Sequence, residues 1–406
     1  VNFLFAWRYF KAKKSTNAIN IIAWVSVSAI IVGTASLIIV LSVFNGLEDL
    51  VKSLYSSFYP EIRVAARTGK FIELNSEQLK TLATFPGITH YSLVLEDKAL
   101  LQNGTMQPVV IKGVDSNYRY VTGVAQKLGR GKFDLGTEEH PGVVLGVGVE
   151  NALGLESDRS ILPLTVYIFK KGASKEQTDP LESLSTGTMA ATGAFVIQSD
   201  FDNKYAITNL AFMRTMLNIP AQQYSAIEIA VSDPQKSDLI KQSLQKYFGD
   251  QYAIQTRYEQ NRSLYSVMTM EKWVIYGVLT LILVVAAFNM VGALTMLVLE
   301  KQKDIQVLKA MGAHNGYIQG IFLSEGILLA LIGGIGGVLL AIFICWLQVK
   351  YKLVPMAGDS FVIDHYPVKL MPGDFILVFC TILVVALLAS WFPSRKAALQ
   401  PIELKT

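Results

Sequence analysis

Gly129-Arg130-Gly131-Lys132 is the nearest approach to a phosphate-cradling loop in this sequence, and Phe133 follows where a magnesium-binding hydroxyl would be required. Read as a turn in a folded domain, the tetrad needs no nucleotide. No Ser/His/Asp order or paired carboxylate stands out as a catalytic set. His90, His140, His314 and His365 are scattered without ligand spacing, and Cys345 and Cys380 both fall inside apolar runs, which predicts neither a structural disulfide nor a metal site. The sequence therefore leads to no catalytic residues, no metal and no cofactor bound by this chain. Ionisable groups within apolar runs, which would mark a proton pathway, reduce to Glu325, expected to snorkel or to pair with a nearby lysine. Asn289 is expected to hydrogen-bond to another helix.

Chemistry being absent, contact is what remains to be placed. The segment Glu300-Lys301-Gln302-Lys303-Asp304-Ile305-Gln306-Val307-Leu308-Lys309-Ala310-Met311-Gly312-Ala313 puts Ile305, Leu308 and Met311 on one face of a short helix that Gly312 can end. Such a helix either lies flat on a membrane or plugs into a groove on a partner, and amphipathicity alone does not choose. A second apolar pattern, Phe44, Leu47, Val51, Leu54 and Phe58, repeats at heptad-like spacing, and Leu264, Val267, Met268 and Trp273 form a third.

The elements that carry these patterns follow from composition. Of 406 residues 51% are hydrophobic and only 17% charged, a charge deficit that places part of the chain in lipid. The net charge of +4 and the lack of a basic tract argue against nucleic acid as a partner. Four runs are long enough to span a bilayer core of roughly 20 apolar residues: 19–44, 273–299, 318–349 and 375–393, the last closed by Pro393. The first run is expected to be an anchor and not a cleaved signal. Lysine and arginine are concentrated in the tail 1–18, the loop 300–317 and the tail 394–406, against only Lys350, Lys352 and Lys369 in the loop 350–374. Both termini are thus expected in the cytoplasm, with 45–272 and 350–374 outside. Phe3, Phe5, Trp7 and Phe10, interleaved with basic residues, suit an interfacial helix.

Residues 45–272 read as an α+β domain. Glu61–Ala66 is a strand, Asn75 and Gln78 suit a capping box, a strand follows near Tyr91–Leu95, and a hairpin turns at Asn103-Gly104. Later, Tyr224–Val231 is a strand, Asp233-Pro234 starts a helix buried on Leu239, Ile240, Leu244 and Phe248, and Tyr252–Gln255 is a strand. Two βαβ-like units thus flank a β-rich insert at about 108–223, from which Lys170–Ala191 is expected to project as a polar loop.

EKQKDIQVLKAMGA between the second and third spans resembles the coupling helix of type VII ABC permeases, the FtsX/MacB-like group, and WFPSRKAALQPIEL resembles that group's closing motif. VLSVFNGLEDL, MEKWVIYGVLTLILVVAAFNM, and FVIDHYP followed by LLASWFPSRKA look like the lipoprotein-releasing permeases of the LolC/LolE family. The resemblance implies four membrane helices, a MacB-like periplasmic domain and a place in the inner membrane of a Gram-negative bacterium. It also implies partners: a cytoplasmic LolD-like ABC ATPase carrying ATP and magnesium, a second permease copy or paralogue, triacylated lipoproteins, and a LolA-like periplasmic carrier. On it, Glu300, Lys301, Ile305, Leu308 and Met311 would couple to the ATPase. Phe44, Leu47, Val51, Leu54, Val267, Met268 and Trp273 would line a lipid cavity. Lys170, Lys171, Lys175 and Met189 would belong to a carrier-binding loop. The alternatives are a cell-division-type permease that activates a periplasmic hydrolase, and an efflux permease of the macrolide-exporter type, set lower because no ATPase domain is fused.

Overall fold

The computed structural model describes residues 17–159, 162–169, 184–356 and 365–400. The expected interfacial helix, with Phe3 to Phe10, falls outside them. The described residues divide into two compact units, one holding 17–50, 266–356 and 365–400, the other 51–159, 162–169 and 184–265. Helix α1 (Asn17–Phe58) contains no proline, and two of its buried hydroxyls turn back into the helix: Ser26 donates to the Ile22 carbonyl and Ser42 to that of Ile38.

The outer unit is built on strands β1 (Ile62–Ala66), β2 (Ile72–Glu73), β3 (Ile88–Asn103), β4 (Thr105–Val114), β5 (Leu128–Gly131), β6 (Gly142–Gly146), β7 (Leu164–Phe169), β8 (Leu184–Phe195), β9 (Tyr205–Asn209), β10 (Gln223–Tyr224), β11 (Ala226–Val231) and β12 (Tyr252–Thr256). The sheet order is β12-β1-β11-β3-β4-β9-β6-β8-β5, with β7 pairing β3 and β8, and β2 and β10 forming a separate ribbon. Helices α2 (Ser76–Ala83), α3 (Leu210–Leu217) and α4 (Ser237–Phe248) cover it. The units β1-α2-β3 and β11-α4-β12 are both present, but each is split by a strand of the other: β11 lies between β1 and β3, and β1 between β11 and β12. This interleaved βαβ pair is a ferredoxin-like arrangement. Asn75 and Gln78 form the reciprocal capping box of α2. The β3–β4 hairpin turns at Gly104, whose φ of +75° suits a residue without a Cβ.

Two expectations fail in this unit. Leu239 is 63% exposed, because α4 buries only Ile240, Leu244 and Phe248. The expected loop Lys170–Ala191 fails over 184–191, since Leu184–Phe195 is strand β8, held by β7, β6 and β5, while 170–183 lie outside the described residues. Thr186, Thr188 and Gly187 made that stretch look loop-like. Threonine is in fact a good strand former, and Gly187 sits where a Cβ would press on Met216 and Phe212.

One face of the central strands carries a charge quartet, with Lys112 and Glu228 buried and Arg63 and Glu96 half-buried. Arg63 and Glu228 are cross-strand partners, as are Glu96 and Lys112, and the ion pairs run diagonally: Arg63–Glu96 at 3.0 Å and Lys112–Glu228 at 2.7 Å. Lys112 also lies 5.1 Å from the ring centroids of both Phe58 and Tyr118. Burial works against its charge, but Glu228, with Tyr118 and Glu96, more than offsets it and pushes the Lys112 pKa up. Phe58, the last residue of α1, stacks on Phe201 at 4.4 Å and meets Tyr205 at 4.5 Å, so the helix end is a core element of the outer unit.

Asp202 is buried here, and desolvation raises its pKa from 3.8 to about 6 despite backbone amides of Ile197 and Gln198 that favour the carboxylate. The folded state therefore holds this proton more tightly than the unfolded chain. That contribution to stability is complete below about pH 4 and is lost as pH rises through about 6. Thermal unfolding is expected to show the outer unit more stable at pH 5 than at pH 7.5, with Asp202→Asn reducing the difference.

In the other unit, α5 (Arg262–Glu300), α6 (Gln302–Ala310), α7 (Asn315–Tyr351) and α8 (Pro372–Ala398) follow α1. Helices α1, α5, α7 and α8 are each long and apolar enough to cross a membrane. Pro393 does not close the last one, which runs on to Ala398. Proline forfeits one backbone bond, a loss that membrane helices tolerate where neighbours re-satisfy the freed group. Gly333 and Gly337 bring α7 against α1: a Cβ at Gly333 would lie 2.7 Å from Ile30, and one at Gly337 would lie 2.5 Å from Thr34. Glu325 is 2% exposed. It lies on the buried side of α7, together with Phe322, Gly326 and Leu329.

Candidate coupling helix and lipid-facing stripes

Helix α6 forms where expected, and Gly312, with φ of +94°, ends it while Ala313 donates to the Leu308 carbonyl. The face expected to dock is, however, divided. Ile305 is 2% exposed and packs with Leu297 and Val298 of α5, Ile318 and Phe322 of α7, and Ala397 of α8. It is a joint to three spans, not a docking residue. Lys309 strengthens that joint by donating to the carbonyls of Ala398, the last residue of α8, at 2.9 Å and of Gln400, just past it, at 2.6 Å. Leu308 is half-buried, whereas Met311 is 79% exposed and Val307, overlooked in the sequence, 59%. Val307 and Met311 are four residues apart and share the face turned away from Ile305. Glu300 and Lys301 stand half-buried at the entry to the helix, and Lys301 pairs with Asp304 at 3.2 Å. The i, i+3, i+6 spacing of Ile305, Leu308 and Met311 covers an arc of roughly 120°, wide enough to hold both an inward and an outward edge.

The two apolar stripes separate in the same way. Phe44, Leu47 and Val51 are half-buried along one side of α1, but Leu54 is 7% exposed and so buried in its own chain, which removes it from any lipid-contacting set. On α5, Val267 and Trp273 are exposed and Met268 is half-buried. The exposed face continues far beyond them through Met270, Val274, Val278, Leu281, Val285 and Phe288. Asn289 lies on this side too; it is exposed and makes no hydrogen bond within the described residues. The expected helix partner for its carboxamide is therefore not found among the described residues. Lys170, Lys171 and Lys175 lie outside the described residues. Met189 is 1% exposed in the core beneath β8, so it contacts no carrier. No cluster of His, Cys, Asp and Glu suited to a metal occurs among the described residues.

Comparison with known proteins places these features. The MacB-like periplasmic core domain model matches residues 23–247, more than half of the chain, and the FtsX-like permease C-terminal model matches residues 276–402. A lipoprotein-releasing system transmembrane protein LolC of Neisseria meningitidis is 27% identical over 98% of this chain and 98% of its own length. A lipoprotein-releasing system transmembrane protein LolE of Haemophilus influenzae is 27% identical over 99% of this chain and 98% of its own. The crystal structure of the periplasmic region of MacB from Actinobacillus actinomycetemcomitans aligns at 14% identity over 53% of this chain and 98% of its own, with a TM-score of 0.35. The chain belongs to the permease family defined by a MacB-like periplasmic core domain, and LolC and LolE proteins are among its end-to-end relatives.

Proposed function

We propose that this chain is the permease subunit of an ATP-driven complex that extracts lipoproteins from the outer leaflet of the inner membrane and hands them to a periplasmic carrier. The observation that carries the reading is the apolar stripe Phe44, Leu47 and Val51, which stays incompletely covered where α1 leaves the apolar run. An acyl chain leaves the bilayer only if something apolar receives it. At about 0.8 kcal/mol per methylene, one long chain requires roughly 10 kcal/mol of matching contact. The LolC and LolE names of the relatives support lipoproteins as cargo. The exposed face of α5 with its lone Asn289 supports a second permease facing it, since a carboxamide in hydrocarbon seeks a partner. ATP would be bound, with magnesium, by a separate cytoplasmic ATPase seated on Val307 and Met311. Its movements would reach the spans through Ile305 and Lys309.

A photo-crosslinking residue at Leu47, then at Val51, tests this in the assembled complex. Crosslinks to lipoprotein that vanish when ATP drives turnover are expected. Crosslinks confined to the permease under every nucleotide condition would replace extraction with the signalling alternative.

A further inference from the structure

We infer that residues 365–371, between the third and fourth spans, form a strap that fixes the rotation of the outer end of α1, with Asn45 as its positioning residue, so that the Phe44–Leu47–Val51 stripe is turned toward lipid. The inference rests on the proposed function for the meaning of that stripe, but not for the strap itself.

Four residues of α1 meet the strap or its anchor. The backbone amide of Lys369 donates to the Ser42 carbonyl at 2.9 Å, and the Lys369 Nζ pairs with Asp49 at 2.6 Å. Asn45, 1% exposed, donates from Nδ2 to Asp374 at 2.5 Å and to the Lys369 carbonyl at 3.4 Å, while its Oδ1 accepts from Lys272 at 2.7 Å. One carboxamide thereby joins α1, the membrane entry of α5, the strap and the first turn of α8. Lys272 and Asp374, 3.7 Å apart, balance each other's charge around it. At Gly46 the strap lies directly on the helix backbone: a Cβ there would be 2.2 Å from the Pro367 carbonyl oxygen and 2.8 Å from the Val368 nitrogen.

These contacts are not spread around the helix. At about 100° per residue, Ser42, Asn45, Gly46 and Asp49 occupy one sector roughly 100° wide, and Phe44, Leu47 and Val51 centre roughly 180° away from it. A smooth apolar helix has little to set its rotation, because one greasy face packs about as well as the next. A buried amide with both ends committed, plus a glycine that admits only the strap, leaves a single rotation in which every polar group is satisfied. The strap holds one side of α1, and the opposite side is left to the cargo.

Gly46→Ala is the discriminating variant. Alanine favours helix over glycine, so folding and ATPase co-purification are expected to persist while the new methyl pushes the strap off. Two readouts are taken in the full complex in nanodiscs, with Cys380 replaced by serine. A nitroxide at Leu47 reads rotation without any cargo, and its ratio of oxygen to water-soluble nickel collisions should change at least twofold in Gly46→Ala. Photo-crosslinking from Leu47 to lipoprotein should fall at least fivefold. Lys369→Asp should weaken both signals, and adding Asp49→Lys should restore them, as a merely space-filling role would not. An unchanged nitroxide ratio in Gly46→Ala overturns the strap, whatever the crosslinks show. A changed ratio with no lipoprotein crosslink even in the unmodified chain keeps the strap and removes the cargo reading.

Discussion

Val307→Asp is expected to strip the cytoplasmic ATPase from the permease while leaving the permease folded. Val307 is 59% exposed and makes no part of the cluster that anchors α6, so the substitution costs the free chain little. In a docked complex the same carboxylate would be buried without a partner. A penalty of several kcal/mol follows, and about 4 kcal/mol is a thousandfold in affinity. Co-purification measured against the unmodified chain should fall below detection, and Met311→Asp should behave alike. Ile305→Ala should do the reverse. It opens a cavity where α5, α6, α7 and α8 converge, so thermal stability should drop by roughly 2–5 kcal/mol before any docking defect shows. Retained ATPase binding by Val307→Asp would leave α6 lying flat on the membrane surface. Leu308, half-buried, cannot separate the two outcomes, because a charge there damages both faces.

Lys112→Met should be the most damaging single change in the outer unit. Lys112 and Glu228 are 3% and 1% exposed, and removing the lysine leaves a carboxylate buried with its Oε2 already lacking a hydrogen bond. Breaking a buried pair on one side typically costs ~3–5 kcal/mol. Arg63 remains on the neighbouring strand, but Glu96 already holds it. Lys112→Met combined with Glu228→Leu should recover most of the loss, since a matched apolar pair needs no solvation. Urea unfolding followed by pulse proteolysis of the full chain reads both variants. Equal destabilisation by the double variant would show that the quartet is needed as charge and not merely as a balanced pair.

Much of this architecture was legible in the residues. Four apolar runs between charged flanks, the Asn75–Gln78 cap, the Asn103-Gly104 turn and the short helix before Gly312 each rest on local chemistry, and local chemistry is what a sequence displays. The strand Ile62–Ala66 was visible for the same reason. Its neighbours were not, because pairing β1 between β11 and β12 is a long-range choice that no single window contains. The faces of the spans were also hidden. Where every position is leucine, valine or isoleucine, as along Leu281–Val285, no contrast marks the side that packs. Ile305 was misplaced and Val307 overlooked for a related reason: the helix is so short that three neighbouring ends of spans, and not its own period, decide which edge is inward. Asn45 and Gly46 sit inside VLSVFNGLEDL, and the polar break in an apolar stretch was the available signal for the strap.

The place of β1 also sets a timetable for biogenesis. As the outer stretch is exported, β1 emerges early, directly behind the first membrane anchor, yet both strands that flank it lie at Ala226–Val231 and Tyr252–Thr256. Until those arrive, β1 offers two bare hydrogen-bonding edges, and Ile62 and Val64, fully buried in the finished sheet, stay wet. Synthesis runs at roughly 5–20 residues per second, so this exposure lasts on the order of ten seconds or more. The β3–β4 hairpin needs nothing later, but β1 cannot be paired from the N-terminal side, and the sheet closes only a few residues before Arg262, where the next membrane helix begins. The nascent domain is then threaded between two membrane-bound ends. That tether shortens the search for β1 and, at the same time, leaves its open edges in the crowded space beside the export channel, where holding chaperones of the envelope would find their longest opportunity.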